Sequence, residues 1–220
     1  MKRFYVVLGV LAVALAGMLV YLLTARPGAA PAAVAAPTAV VDDGFRGDTL
    51  GSASAPVEVV EYGDFECPAC AGFATVQMPT IKEQLIATGK VRWRYRDYPL
   101  PMHPYARFAA HAAQCAGEQG KFWEMHDQLF SNHSWAQTGR DPSRLFRDFA
   151  RATGVDLVGY DACMESGRYA SRIEFSRQEG EQRLVDGTPT FYINGVKYVG
   201  RNNSDAFKAA VDSAAAARRR

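Results

Sequence analysis

Two hydrophobic patterns divide the chain. From Phe4 to Leu23 no position is charged and nearly all are apolar, with Lys2 and Arg3 before the run and Arg26 after it. At about 1.5 Å per residue a helix of this length spans about 30 Å, the hydrocarbon thickness of a bilayer. A cleavable signal peptide has a shorter apolar region, about 7–15 residues, closed by a small-x-small site. Here Tyr21-Leu22-Leu23 ends the run, and candidate sites such as Ala33-Val34-Ala35 lie well beyond it. The pattern predicts a signal anchor or transmembrane helix over residues 1–23, with removal as a signal peptide the alternative. The positive-inside rule leaves Lys2 and Arg3 in the cytoplasm, and either outcome exports the rest of the chain.

Residues 24–44 are rich in Ala and Pro and offer little for a core. They read as a tether that, extended at about 3.1 Å per residue, holds a folded domain over residues 45–220 up to about 60 Å from the membrane. In that domain Val57 to Tyr62 is apolar and β-branched and predicts a strand. Gly63-Asp64-Phe65-Glu66 turns it into a helical stretch, Ala71 to Leu85, which Gly89 closes. Val91 to Arg96 alternates apolar and basic residues, predicting a half-exposed strand with Arg92, Arg94 and Arg96 on a solvated face.

Tyr105 to Tyr169 carries helical periodicity broken at Gly117, Gly120, Gly139-Arg140-Asp141-Pro142 and Gly154. Asp141-Pro142 reads as an N-cap followed by Pro at the first helical position. A further helix spans about Arg168 to Leu184. The block is too long for one crossover and predicts an inserted helical subdomain over about 105–184. Phe191 to Asn194 and Val196 to Val199 flank Asn194-Gly195, a hairpin signal, and Asp205 to Ala217 closes the chain as an amphipathic helix. In order this is β–α–β, helices, then β–β–α: an α/β fold with a mixed sheet and helices on both faces.

The formal charge of +2, with both signs interspersed, excludes nucleic acid as a main partner. Export places the 4 cysteines where disulfides persist. Cys67-Pro68-Ala69-Cys70 sits where the first strand becomes a helix. There the unpaired N–H groups and the dipole favour a thiolate on Cys67, and Cys70, one turn on, can close a disulfide with it. Pro68 fits the first turn, where its missing N–H costs nothing. This spacing reads as a thiol–disulfide couple. The alternative is half of a zinc site, which needs further ligands. His111 and Cys115, four apart on one helical face, could supply two, so zinc stays open. The four histidines show no H-E-x-x-H spacing, and no G-x-S-x-G motif is present.

Separate segments then fall into one order: Glu61-Tyr62-Gly63-Asp64-Phe65-Glu66-Cys67-Pro68-Ala69-Cys70, Tyr95-Arg96-Asp97-Tyr98-Pro99-Leu100, Gln119-Gly120-Lys121-Phe122-Trp123 and Gly187-Thr188-Pro189-Thr190-Phe191. From about Asp48 to Ala210 the chain resembles the DsbA-like branch of the thioredoxin superfamily, in particular its membrane-tethered bacterial members. The resemblance implies a thioredoxin-like α/β fold with an inserted helical subdomain, preceded by the N-terminal transmembrane or signal helix. It implies a cis Thr188–Pro189 bond beside the two cysteines, the alternative being an ordinary trans turn proline. It implies that Glu61 moves a proton for Cys70 from beneath the site, the alternative being a surface carboxylate.

Ala69 departs from the strongly oxidising members, where a histidine often precedes the second cysteine. Alanine supplies no charge to the Cys67 thiolate, so a milder oxidant is expected. Cys115 and Cys163 flank most of the helical block. For an exported chain a structural disulfide is the expectation, closing a loop of roughly 48 residues worth about 4 kcal/mol; two unpaired buried thiols are the alternative. The function so implied is a monomeric, extracytoplasmic protein-disulfide oxidoreductase with no cofactor beyond the Cys67–Cys70 couple. Its substrates would be unfolded or folding exported proteins with free cysteines, and a membrane oxidase of the DsbB or vitamin-K-epoxide-reductase (VKOR) type would recycle it. A reductase or isomerase using the same site is the nearest rival, and a metal- or peptide-binding module the non-enzymatic one.

Overall fold

The structure, a computed structural model, describes residues 14–18, 37, 39–200 and 203–218. The chain forms two compact units, Met1–Ala32 and Ala33–Arg220. In the first, residues 14–18 are helical and exposed, and the rest of the expected anchor lies outside the described residues. Among the described residues no helix is long and apolar enough to cross a membrane.

The second unit is built on a five-stranded sheet of β1 (Asp48–Leu50), β2 (Val57–Gly63), β3 (Val91–Asp97), β4 (Thr190–Ile193) and β5 (Val196–Lys197), in the order β1-β3-β2-β4-β5. Only β2 and β3 run parallel; the other neighbours are antiparallel. The sheet is therefore mixed, as the β–α–β then β–β order requires. The register sets Val59 opposite Trp93 and Glu61 opposite Tyr95, so these four share one face.

Over that face lies a helical run, residues 68–86, in which α1 (Pro68–Gly72) and α2 (Met78–Ile81) alternate with π-helical turns at Phe73–Gln77 and Lys82–Ile86. The first π turn precedes Pro79, which has no N–H to continue the α pattern. Val57, Val59, Trp93 and Phe191 from the sheet, Phe73, Ile81 and Leu85 from this run, and Phe207 and Val211 from the final helix form one buried cluster.

The insertion comprises α3 (Ala106–Gly117), α4 (Phe122–Ser131), a 3-10 turn (His133–Gln137), α5 (Ser143–Thr153), α6 (Leu157–Ser166) and α7 (Ala170–Gln182); α8 (Ser204–Ala217) ends the unit. Gly154 closes α5 in the left-handed region at φ 81°, where a Cβ is penalised. The start of α5 falls one residue later than expected. Pro142 occupies the cap position, and the Asp141 carboxylate still accepts from Ser143 N–H at 2.8 Å.

The opposite sheet face is not the solvated surface expected for the three arginines. Arg92 and Arg94 share the Glu58 carboxylate, whereas Arg96 is 2% exposed. Arg96 pairs with Glu179 and donates to the Phe45 carbonyl at 3.1 Å. Glu179 on α7 and the segment leading into β1 close over it. Neither partner adjoins Arg96 in sequence, so alternation alone could not place them.

Candidate active site

At the end of β2 the chain turns through Asp64, Phe65 and Glu66 into Cys67, and the turn is held from several sides. Asp64 Oδ1 accepts from Glu66 N–H at 2.7 Å, and Oδ2 from Leu100 N–H at 2.8 Å and from His103 Nδ1 at 2.7 Å. Glu66 Oε2 accepts from Tyr105 N–H at 2.7 Å, ahead of α3. His133 Nε2, from the insertion, donates to the Phe65 carbonyl at 3.1 Å. The active-site turn is thus fastened to the loop after β3 and to the helical block. Apart from the local Asp64–Glu66 bond, these ties join residues far apart in sequence, and sequence alone does not show them.

Cys67 occupies the N-cap position with extended backbone, and Pro68 follows at the start of α1. Both thiols are free and buried, Cys70 completely and Cys67 at 6% exposure. The Thr188–Pro189 bond is cis. The Thr188 carbonyl lies 3.4 Å from Cys67 Sγ, because β4 pairs with the end of β2, Thr190 opposite Tyr62. Cys67, Cys70, Thr188 and Pro189 are therefore brought together, with Pro68 and Ala69 between the sulfurs.

The two thiols differ sharply in acidity. A hydrogen bond from Cys70 pulls Cys67 down to about 5, helped by Thr188 and by the N–H groups of Cys70 and Ala69. Burial pushes Cys70 well above its ordinary value, and the neighbouring Cys67 adds to this. Hydrogen bonds hold the Cys67 thiolate, the one from Cys70 being the largest. This fits Ala69 in place of a cation.

Glu61 is 2% exposed and near enough to Cys70 to push its thiol up, while burial raises its own carboxyl to about 7 against the opposing Trp93 indole N–H, which donates to Oε2 at 2.9 Å. It is not a surface carboxylate. Sequence alternation put Trp93 on the inward face, but the bond depends on strand register.

Away from these residues, Cys115 on α3 and Cys163 on α6 form a disulfide with a Cα separation of 5.7 Å. The His111–Cys115 pair entertained as zinc ligands thus has its sulfur in a covalent bond, and His111 Nε2 donates to the Cys163 carbonyl at 3.1 Å. Among the described residues no third His, Cys, Asp or Glu joins Cys67 and Cys70 in a cluster able to hold a metal.

Residues 46–213 match the family model described as thioredoxin. The chain belongs to the thioredoxin family. Within it, the Bacillus subtilis protein BdbD in its oxidised form superimposes with a TM-score of 0.71 at 25% identity, over 77% of this chain and 93% of that one. A Bacillus cereus protein named "probable disulfide bond formation protein D" is 27% identical over 74% of this chain and 76% of its own length. A Salinispora tropica protein named as the Na+/H+ antiporter NhaA 3 is 42% identical over 80% of this chain. The chain spans 26% of that antiporter's length, so this family domain also occurs inside much longer proteins.

Proposed function

We propose that this thioredoxin-family chain is an extracytoplasmic thiol:disulfide oxidoreductase that introduces disulfides into exported proteins through Cys67 and Cys70. The observation that carries the reading is the division of labour between the two sulfurs: Cys67 at about 5, at the helix start, and Cys70 buried above its ordinary value. A thiolate stabilised in the reduced state favours that state, which makes the disulfide oxidising.

In the proposed cycle a substrate thiolate attacks Cys67 Sγ of the Cys67–Cys70 disulfide. The bond between the two sulfurs breaks, a mixed disulfide forms, and Cys70 leaves as a thiolate that takes a proton from Glu61. A second substrate thiolate attacks the substrate's own sulfur, and Cys67 departs as a stabilised thiolate. Two electrons have passed from substrate to enzyme. Glu61, at about 7, can be found in either state near neutral pH, as proton transfer in both directions requires. The cis-proline loop lends the Thr188 backbone to the substrate strand. A quinone-linked membrane oxidase would remove the two electrons, and the segment over residues 1–23 would keep the domain at the membrane.

The test is the redox equilibrium of the full chain with glutathione, read by differential alkylation and mass spectrometry. Two values frame the outcome, about −120 mV for a strong oxidase and about −270 mV for thioredoxin. The expected potential lies on the oxidising side of that interval, short of the strong oxidase because Ala69 adds no charge. A value at the thioredoxin end turns the reading to a reductase, and a pair that will not cycle ends it.

A further inference from the structure

Glu61 is a fully buried acid with no cation beside it. Burial raises its carboxyl and the Trp93 indole opposes the rise, and among the described residues no Lys or Arg pairs with it. An ammonium or guanidinium in contact would drive the carboxyl far below neutrality and fix it as an anion. An isolated carboxyl in that position would stay protonated instead. Trp93 lies between these limits. Its Nε1–H is a strong but uncharged donor, set on Oε2 at 2.9 Å.

The indole is also fixed in place. Its ring stacks on Phe73 at 6.0 Å, with Phe191 at 5.8 Å and Phe207 at 5.5 Å. Phe73 belongs to the helical run that begins at the cysteines, Phe191 lies two residues beyond Pro189, and Phe207 is on α8. The donor is therefore held by the elements that carry the two sulfurs and the cis-proline loop, and its bond aligns the carboxylate near Cys70.

We propose that Trp93 is a positioning residue for disulfide exchange, its indole N–H holding Glu61 near Cys70 in the place of a cationic partner. This rests on the thiol–disulfide reading above. The carboxylate accepts the indole bond better than the carboxylic acid does, so losing the donor makes Glu61 harder to ionise. Every step in which Glu61 takes the proton of Cys70 then moves to higher pH.

The experiment compares wild type with Trp93→Phe, which keeps an aromatic ring in the cluster and deletes the donor. Reoxidation by glutathione disulfide is followed across pH at the step in which Cys70 resolves the mixed disulfide. The expected midpoint rises by about one pH unit, roughly a tenfold slowing below it. Trp135→Phe is the control: it deletes a buried indole donor bonded to the Leu129 carbonyl in the insertion, and the midpoint stays where it was. In parallel, the 15N-indole resonance of Trp93 is expected to titrate in wild type and to stand still in Glu61→Gln.

A midpoint unmoved by Trp93→Phe, or an indole resonance indifferent to Glu61, overturns the proposal. The indole titration decides the matter even where Trp93→Phe fails to fold. Failure of the couple to exchange with glutathione at all strikes at the proposed function instead, and the Trp93–Glu61 link is still read from the resonance.

Discussion

A single sulfur governs how this molecule responds to its own oxidation. Cys67 is held near 5 in the folded, reduced protein, against 9.0 for an ordinary thiol, chiefly by the hydrogen bond from Cys70. A folded value below the unfolded one contributes stability that is complete above about 9 and lost as the pH falls through about 5. The oxidised protein has no such thiolate. The stability of the reduced form relative to the oxidised form is therefore expected to climb between pH 5 and 9 and to level off below. Thermal unfolding of both redox forms across that range measures it. A constant gap would mean that Cys67 titrates as an ordinary thiol. Cys70, raised by burial, stays protonated over most of this window and does not reverse the sign.

At the scale of elements, close approaches decide where small residues are needed. Gly180 lies within α7, and a Cβ there would stand 2.6 Å from the Tyr98 ring. That ring meets Tyr62 edge-on at 6.1 Å and bonds the Val185 carbonyl through its hydroxyl at 2.8 Å, so it has little room to retreat. Alanine would improve helix propensity by about 1 kcal/mol, yet the overpacking costs about 1–3 kcal/mol. Gly180→Ala is accordingly expected to lower the stability measured in urea; a gain would mean that the ring swings clear. The elements that carry the site were readable from the chain. β2 and β3 declared themselves by apolar content and alternation, and the cysteine helix by its position after Gly63-Asp64-Phe65-Glu66. What could not be read depended on contacts between distant segments. β1 is three residues long and takes its form from pairing with β3. Arg96 is buried by Glu179, far along the chain, and the Trp93–Glu61 bond needs the β2–β3 register. His103 and His133 had no spacing signal because each serves a loop.

For the whole molecule, the join between sheet and insertion is a titrating one. Asp48 on β1 and Asp97 at the end of β3 both accept from the Gln114 side-chain amide on α3, at 2.9 and 3.1 Å. Arg172 on α7 donates to Gln114 Oε1 from the other side, at 3.3 Å. Burial raises both carboxyls above their ordinary 3.8, and for Asp97 the nearby Asp48 adds to the effect. Here the sign is opposite to that of Cys67. The folded state keeps protons that the unfolded chain releases, so this pair's contribution is complete below about pH 4 and declines as the pH rises. Asp97→Asn keeps the shape without the proton. It is expected to flatten the loss of stability between pH 5 and pH 8 in urea unfolding, and an unchanged slope would place the titration elsewhere.

The disulfide between α3 and α6 has one more consequence, concerning capacity. Cys115 and Cys163 are fully buried within the same apolar cluster that holds Cys67 and Cys70. No thiol arriving from solvent can line up with that bond while the fold is intact. In the proposed cycle the molecule thus holds four cysteine sulfurs but trades only two electrons. Its second pair stays out of circulation, and a client protein meets a carrier of fixed charge whatever the state of the bond inside.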